Sequence, residues 1–141
     1  MGMTYGMIKP DAVGAGNAGN IIANLESHGF TVRAMKLLRL TDDQARAFYE
    51  VHQARPFYAD LVRFMTSGPV VALALEHEGE AFQALRDRLG DTDSSKAPAG
   101  TIRNLWGTDI ERNAMHGSDS AENAAIEIAF FFSRSELIAA R

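Results

Sequence analysis

The sequence predicts a single α/β domain, residues 1–141, in which helices pack on one sheet. Three observations support this fold class. A chain of 141 residues fits one domain and can bury a core without covalent cross-links. Hydrophobic residues make up 46% of the chain and charged residues 23%, as in ordinary globular proteins. Apolar runs of strand length alternate with segments of helical periodicity, and the connections between them are short.

The first predicted elements are a strand and a helix separated by a loop. Tyr5–Ile8 has the apolar character of a short strand, which Pro10 ends because proline has no backbone N–H to donate. Gly14–Gly19 is typical of a flexible loop. The apolar residues of Ile21–Leu25 share one face of a helix, and Gly29 ends that helix at a C-cap position.

A second strand and two helices follow. Phe30–Leu40 contains β-forming residues in alternation, which predicts a strand. Thr41 and Gln44 have the spacing of a capping box, in which each side chain satisfies a free amide at the start of a helix. We expect that helix to run to about His52. A second short helix is predicted over Tyr58–Met65.

The third strand is predicted over Val70–Glu76, an apolar run of strand length. Gly79–Leu89 then has helical periodicity and ends before a glycine. Asp91–Gly100 is polar and rich in turn-forming residues, which indicates an exposed loop.

The last elements alternate again. Asp119–Glu122 can cap a helix over Ala121–Ile128. Phe130–Phe132 predicts a strand, and Ser135–Ala140 predicts a terminal helix. This order of strands and helices fits a split βαβ arrangement of the ferredoxin-like kind.

Composition excludes several functional classes. The chain has no cysteine, so disulfides, thiol catalysis and cysteine-rich zinc sites are excluded. Its longest apolar runs are too short to cross a bilayer, and Met1–Met7 lacks the pattern of a signal peptide. We therefore expect a cytoplasmic protein. The net charge of -4 argues against broad nucleic-acid binding, although a local basic pocket remains compatible with it.

His116 is the histidine with the strongest case for catalysis. It lies in the segment Arg112–Ser120, between small or apolar residues and a capping sequence for the next helix. An imidazole has an unprotonated nitrogen at neutral pH, so it can act as a nucleophile without a separate base. Glu127, two turns into the next helix, could bind the second ring nitrogen and select the tautomer. The same segment also fits a turn with a capping network and an incidental histidine, and spacing alone does not separate the two.

Basic residues near loops are candidates for phosphate contacts. Arginine suits phosphate because its planar guanidinium donates two parallel hydrogen bonds. Lys9 lies in a tight turn directly after the first strand, where a charge can point at a ligand. Taken singly, each of these side chains also fits an ordinary solvated surface charge. The candidates are Lys9, Arg55, Arg86, Arg103 and Arg112.

A glycine pattern in the same region suggests a dinucleotide site, which we reject. Gly14–Gly19 matches G-x-G-x-x-G between a strand and a helix. That fingerprint requires its first glycine at the end of the strand, whereas here Lys9–Val13 intervene. The acidic residues that would follow, Asp42 and Asp43, are explained by the capping of a helix. No P-loop and no protein-kinase signature is present in the sequence.

The segments together resemble the nucleoside diphosphate kinase family over Tyr5–Ser133. Five segments carry the resemblance, and they occur in the family's order. The segment around His116 is the most specific. The segments are Met7–Val13, Arg55–Phe57, Ser67–Val70, Gly100–Arg103 and Arg112–Ser120.

The resemblance implies a set of site residues. His116 resembles the family's phosphorylated nucleophile, which carries the phosphate on its pros nitrogen, and Glu127 resembles the glutamate that hydrogen-bonds it. Ser118 and Asp119 match the residues beside the nucleophile. Phe57 matches the aromatic residue that stacks on the base, and Ile110 matches the apolar residue on its other face. Residues that match the surroundings of the phosphates and ribose are Lys9, which also counts as catalytic, Tyr49, Arg86, Thr92, Arg103 and Asn113.

The resemblance also implies a fold and an activity. Members of the family have a four-stranded antiparallel sheet of ferredoxin-like topology with helices packed on it. They move the γ-phosphate of a nucleoside triphosphate, mainly ATP, to nucleoside diphosphates by a ping-pong mechanism. They use magnesium (Mg²⁺) held mainly by the nucleotide phosphates, with no dedicated protein ligands, and they form homo-oligomers. No membrane and no specific nucleic acid is expected as a partner.

Three parts of the sequence depart from the family's pattern. Glu111 replaces a usual glycine, Ala99 replaces a usual proline, and Asn104–Trp106 differs from the usual run. These positions lie near the nucleotide loop and remove no catalytic group. An alternative prediction is a nucleotide-binding or interaction protein of the same family with weak catalysis.

Overall fold

The structure is a computed structural model that describes residues 2–139. Over this range four strands form one sheet in the order β2-β3-β1-β4. Each neighbouring pair is antiparallel, which confirms the predicted antiparallel sheet of ferredoxin-like topology. The strands are β1 (Gly2–Ile8), β2 (Thr31–Leu38), β3 (Val70–His77) and β4 (Met115–Gly117).

The helices of the described range connect and cover these strands. Short 3₁₀ turns at Glu50–His52 and Ser94–Lys96 add to them. The α-helices are α1 (Pro10–Gly14), α2 (Ala18–Ser27), α3 (Asp42–Phe48), α4 (Tyr58–Met65), α5 (Ala81–Leu89), α6 (Ile102–Trp106), α7 (Ala121–Phe131) and α8 (Arg134–Ala139). No helix of the described range is both long and apolar enough to span a membrane.

The inner strand β1 is buried on both faces from Thr4 to Ile8. Because successive strand side chains point to opposite faces, Tyr5 and Met7 enter a core shared with α3, α4 and α7. Ile8 enters a second core with α2 and α5. His116 of β4 pairs with Met7, so its side chain lies on the face of the sheet that carries Tyr5.

Several local predictions are confirmed. Thr41 accepts a hydrogen bond from the Gln44 amide at 3.1 Å, and Gln44 returns one to the Thr41 amide at 2.9 Å. Helix α4 has the bounds predicted for it. Gly29 follows α2 with φ = 89°, a left-handed conformation that glycine adopts without steric cost.

Other local predictions were wrong. Phe130–Phe132 is not a strand, because α7 continues to Phe131 and buries Ala124, Ile128 and Phe131 along one helical face. Packing of that face outweighs the β propensity of the phenylalanines. The fourth strand is instead β4, which we did not predict.

The bounds of other elements also differ from the prediction, and the structure has two short helices, α1 and α6, that we did not predict. The supposed loop Gly14–Gly19 contains the start of α2, and α1 before it begins at Pro10, since proline suits the first helical turn. Helix α3 ends at Phe48, and a 3₁₀ turn continues to His52. Helix α6 follows the predicted polar loop Asp91–Gly100. Ala140, the predicted end of the terminal helix, lies outside the described residues.

Candidate active site

A cavity of about 360 Å³ opens in front of His116. It lies where the ends of β1 and β4 meet the loops after α3, α5 and α6. Eight of the residues singled out in the sequence line it, namely Lys9, Tyr49, Phe57, Thr92, Arg103, Ile110, Asn113 and His116.

The His116 ring is held by one of its two nitrogens. Nε2 lies 2.7 Å from Oε1 of Glu127, and the Ser118 hydroxyl donates to the same oxygen at 2.7 Å. A carboxylate only accepts hydrogen bonds, so Nε2 carries the proton and Nδ1 keeps its lone pair. Within the described part of the chain, no side chain or backbone group hydrogen-bonds Nδ1. The free nitrogen is therefore available for reaction.

A strained turn brings His116 to the cavity. Ala114 has φ = 74°, the one non-glycine residue of the described range with a positive φ, and such a conformation costs energy for a residue with a Cβ. Asp11 compensates by accepting the Ala114 amide on Oδ2 at 3.1 Å, while the Ala114 carbonyl accepts the Lys9 amide at 2.9 Å. The turn thus ties the start of β4 to the end of β1.

Gly117 is a strand residue of β4 and packs against α5. A Cβ at Gly117 would lie 2.8 Å from Leu89 Cδ1 and 3.1 Å from Leu85 Cδ2. The residue is small because α5 packs closely against β4.

Lys9 brings a buried cation to the cavity. It is 7% exposed, and its Nζ donates to the Glu111 carbonyl at 2.6 Å and to Asn113 Oδ1 at 2.9 Å. Burial lowers the pKa of Lys9 to about 8, with a smaller contribution from the charge of Arg103 and an opposing one from Asp11. An ammonium has three N–H groups, so one donor remains for a ligand.

Arg103 brings a second buried cation. Arg103 lies in α6 and is 6% exposed. Its Nη1 donates to the Gly90 carbonyl at 3.2 Å, and its Nη2 donates to the Met115 carbonyl at 2.9 Å. Its Nε is buried and has no partner in the structure. Burial, and secondly the charge of Arg86, lowers the pKa of Arg103 to about 10, so the guanidinium stays charged at neutral pH. Two buried cations with spare donors create a site for an anion.

The outer end of the cavity is apolar. Phe57 is 48% exposed and Ile110 is 62% exposed, and Leu61 lines the wall beside them. Large exposed apolar side chains at the mouth of a polar cavity indicate a binding surface for a flat apolar group. The cavity can therefore take a ligand with an anionic and an aromatic end.

Six singled-out residues do not line the cavity, namely Arg55, Arg86, Arg112, Ser118, Asp119 and Glu127. Arg55 is exposed, and Arg112 is exposed and pairs with Asp109 at 3.8 Å. Glu127 and Ser118 lie behind His116, as described above. Arg86 lies nearby, with Nη1 3.5 Å from the Gly117 carbonyl. Asp119 is exposed and accepts from Asn123 Nδ2 at 2.6 Å, which stabilises the start of α7, where Ser120 is the N-cap.

Sequence reasoning missed some residues of the site. Leu61 lies one helical turn after Phe57, so the i, i+4 spacing could have indicated it. Glu111 lines the cavity, although we had named it only as a departure from the family pattern. Asp11 gave no local signal, because its role depends on the pairing of β1 with β4. Within residues 2–139, no group of three or more His, Asp or Glu side chains is arranged to hold a metal ion.

Comparison with known proteins identifies the family. The profile described as "Nucleoside diphosphate kinase" matches residues 2–137. A nucleoside diphosphate kinase of Anaeromyxobacter sp. (strain Fw109-5) is 53% identical over 129 residues, covering 92% of this chain and 88% of the relative. That of Persephonella marina is 48% identical over 135 residues, covering 96% of both chains.

Solved structures agree with the sequence comparison. The nucleoside diphosphate kinase of Aquifex aeolicus superposes with a TM-score of 0.91 at 45% identity, over 96% of this chain and 97% of the other. The halophilic enzyme of Halobacterium salinarum, solved in complex with CDP, gives a TM-score of 0.90 at 38% identity, over 95% and 89%. The chain therefore belongs to the nucleoside diphosphate kinase family and is an enzyme with that phosphotransferase activity.

Proposed function

We propose that the chain moves the γ-phosphate of a nucleoside triphosphate, mainly ATP, to nucleoside diphosphates through a phosphohistidine on His116. One observation carries this proposal. The Nε2 atom of His116 is bound to Glu127 at 2.7 Å, which leaves Nδ1 bare beside a cavity lined by Lys9 and Arg103. A nucleophilic nitrogen next to buried cations suits transfer of a phosphoryl group.

The reaction takes place in two balanced steps. In the first, the Nδ1 lone pair of His116 attacks the γ-phosphorus, an N–P bond forms, and the bond to the bridging oxygen breaks, releasing the nucleoside diphosphate. In the second, a terminal oxygen of another diphosphate attacks the same phosphorus and the N–P bond breaks. The ring is positively charged while it carries the phosphate, and Glu127 stabilises that charge through Nε2–H.

Cations stabilise the charge that spreads over the phosphoryl oxygens. We assign this role to Lys9 and Arg103, which are buried and line the same cavity as His116. Arg86 lies close enough to Arg103 to lower the pKa of Arg103, so it adds positive charge near the cavity. Tyr49, Thr92 and Asn113 complete the surroundings of the phosphates and ribose.

The base is held by the apolar mouth of the cavity. Phe57 and Ile110 would contact its two faces, and stacking is tolerant of base identity because every base has a π-face. The Halobacterium salinarum relative was solved with CDP, which supports a diphosphate ligand for this cavity. We therefore expect broad base specificity.

Mg²⁺ enters as part of the nucleotide substrate in this proposal. The cavity wall of the described structure contributes ammonium and guanidinium groups and one carboxylate, Glu111, which is not the set of oxygen ligands that Mg²⁺ requires. The donors fit phosphate oxygens instead. Mg²⁺ held by the phosphates would supply further positive charge to the transferred group.

The assembly and location of the protein are secondary proposals. Strand β2 lies at an edge of the sheet and exposes Met35 (55%) and Leu37 (69%), which supports a homo-oligomer. Light scattering of the purified protein gives its mass directly. The cytoplasmic location stays a prediction from the sequence.

Trapping the phosphoenzyme tests the main proposal. Incubation with ATP labelled in its γ-phosphate should give a protein-bound label that acid removes and alkali does not. His116→Ala should abolish the label. His28→Ala is the matched control, since His28 is exposed at the end of α2, whereas His52 contacts Tyr49 and Phe57 of the cavity.

The chase separates an enzyme from a protein that only binds nucleotides. Adding GDP or CDP to the isolated phosphoenzyme should transfer the label to the diphosphate within one turnover. Label that persists in His116→Ala, or that no diphosphate can remove, would refute the assignment.

A further inference from the structure

The hydroxyl of Tyr5 is buried and has no hydrogen-bond partner among the described residues. Tyr5 is 0% exposed and lies in the middle of the inner strand β1. Buried hydroxyl groups of folded proteins nearly always have a partner, because leaving one unpaired costs free energy. A phenylalanine would fill the same apolar space without that cost. The hydroxyl therefore calls for an explanation.

The ring of Tyr5 lies directly behind the His116 ring. It stacks on Phe131 of α7 with centroids 5.5 Å apart and an angle of 6° between the planes. Its centroid is 6.0 Å from that of His116. Glu127 is one helical turn before Phe131, so it projects from the same face of α7 toward Tyr5.

Two titratable groups of the active site lie near enough to the phenol to act on its charge. Burial is the main cause that raises the pKa of Tyr5, and the charges of Tyr49 and Glu127 raise it further. Tyr49 is itself buried and lines the cavity. Both neighbours belong to the site that holds the nucleophile.

Glu127 has an acceptor that the described residues leave free. Its Oε1 takes hydrogen bonds from both His116 Nε2 and Ser118 Oγ. Oε2 receives none from residues 2–139. One oxygen of Glu127 thus determines the orientation of the nucleophile, while the other is unrestrained.

We propose that Tyr5 is a positioning residue whose hydroxyl donates to Glu127 Oε2 through one buried water, and so holds the carboxylate against His116. This inference rests on the proposed function, since it assigns Glu127 the task of keeping Nδ1 bare. The proton stays on Tyr5, which acts as a donor and takes no part in phosphoryl transfer. Tyr5 does not touch the substrate, so its effect reaches the reaction through Glu127.

Tyr5→Phe tests the proposal because it removes only the hydroxyl. The matched control is Tyr58→Phe, which removes the hydroxyl that donates to the Arg46 carbonyl at the protein surface. We expect kcat to fall about tenfold in Tyr5→Phe, the effect of one ordinary hydrogen bond. KM for the nucleotides should stay unchanged, because no substrate contact is lost. Tyr58→Phe should leave both constants unchanged.

The tautomer of His116 gives a readout that needs no catalysis. Long-range ¹H–¹⁵N spectra of the ligand-free protein should show one tautomer with the proton on Nε2. In Tyr5→Phe they should show a mixture that includes the Nδ1–H form. His116→Ala identifies the signals. This measurement tests the positioning role even if the phosphoenzyme assay were to fail, so the two failures can be told apart.

Two outcomes would overturn the proposal. A Tyr5→Phe protein with a higher Tm, wild-type kcat and an unchanged tautomer would mean that the hydroxyl is truly unpaired. A lower Tm with wild-type kcat and an unchanged tautomer would mean that its partner has only a structural role.

Discussion

At the scale of single residues, burial determines the charge that the cavity presents at each pH. Lys9 has a pKa lowered from 10.5 to about 8, chiefly because burial removes water from its ammonium. Arg103, with a pKa lowered to about 10, keeps its charge over the same range. A change in activity near pH 8 can therefore be assigned to Lys9.

We predict that kcat/KM falls as the pH rises above about 8. Lys9 loses its proton on passing through this value and can no longer bind phosphate as a cation, and kcat/KM reports the pKa values of the free enzyme. In Lys9→Met, kcat/KM should be low and nearly flat over this range. Lys96→Met, which removes an exposed lysine, should retain the alkaline fall. The same fall in Lys9→Met would assign it to another group.

Arg103 should matter more than a surface arginine of equal charge. We predict that Arg103→Ala lowers turnover about a hundredfold, the typical effect of losing a donor that stabilises transition-state charge. Arg63→Ala is the control, because Arg63 is exposed on α4 and pairs with Asp60. The measurement is the steady-state turnover of the two variants. Circular dichroism first establishes that both have the same folded fraction. Wild-type turnover in Arg103→Ala would remove it from the site.

At the scale of elements, the site depends on the junction between β1 and β4. Asp11 at the start of α1 accepts the amide of the strained Ala114, two residues before His116. Burial raises the pKa of Asp11, and the Ala114 hydrogen bond and the Lys9 charge oppose that rise. The carboxylate thus links the helix after β1 to the turn before β4.

We predict that Asp11→Ala lowers the free energy of unfolding by about 1–3 kcal/mol, the cost of leaving a buried amide unpaired. Asp11→Asn should recover part of the loss, since it keeps an oxygen acceptor. Asp87→Ala, which removes an exposed carboxylate that accepts from Gln83, should change stability by less than about 0.5 kcal/mol. Urea unfolding measures all three. Equal stability of Asp11→Ala and Asp87→Ala would contradict this account of the junction.

Elements with a strong local signal could be predicted from the sequence. The capping box of Thr41 and the left-handed Gly29 depend on a few adjacent residues, and both occur as predicted. Strand β4 could not be found, since three residues are too few to show alternation. Phe130–Phe132 misled us because aromatic residues favour strands, whereas the buried face of α7 is visible only over its full length.

The candidate site was predictable in its members but not in its geometry. The resemblance to the family, taken residue by residue, identified most of the residues that line the cavity. The choice of Nδ1 over Nε2 required the position of Glu127 relative to the ring. Tyr5 could not be connected to His116 at all without the register of β1 and β4, since no local pattern joins them.

At the scale of the whole molecule, the sheet order explains how an acidic protein binds a polyanion. The chain has a net charge of -4, yet the order β2-β3-β1-β4 places the end of β1, with Lys9, next to β4, with His116. Arg103 reaches the same point from α6. Positive charge is therefore concentrated in one cavity, where low solvent access makes each cation more effective than it would be on the surface.

The nitrogen that carries the phosphate is the most direct test of the central claim. The claim is that Glu127 occupies Nε2 of His116 and leaves Nδ1 as the nucleophile. Phosphorylating the ¹⁵N-histidine-labelled protein with ATP and recording long-range ¹H–¹⁵N and ³¹P spectra identifies the bonded atom. We predict pros-phosphohistidine, with phosphorus on Nδ1 of His116. Phosphorus on Nε2, or on any residue other than His116, would contradict the account.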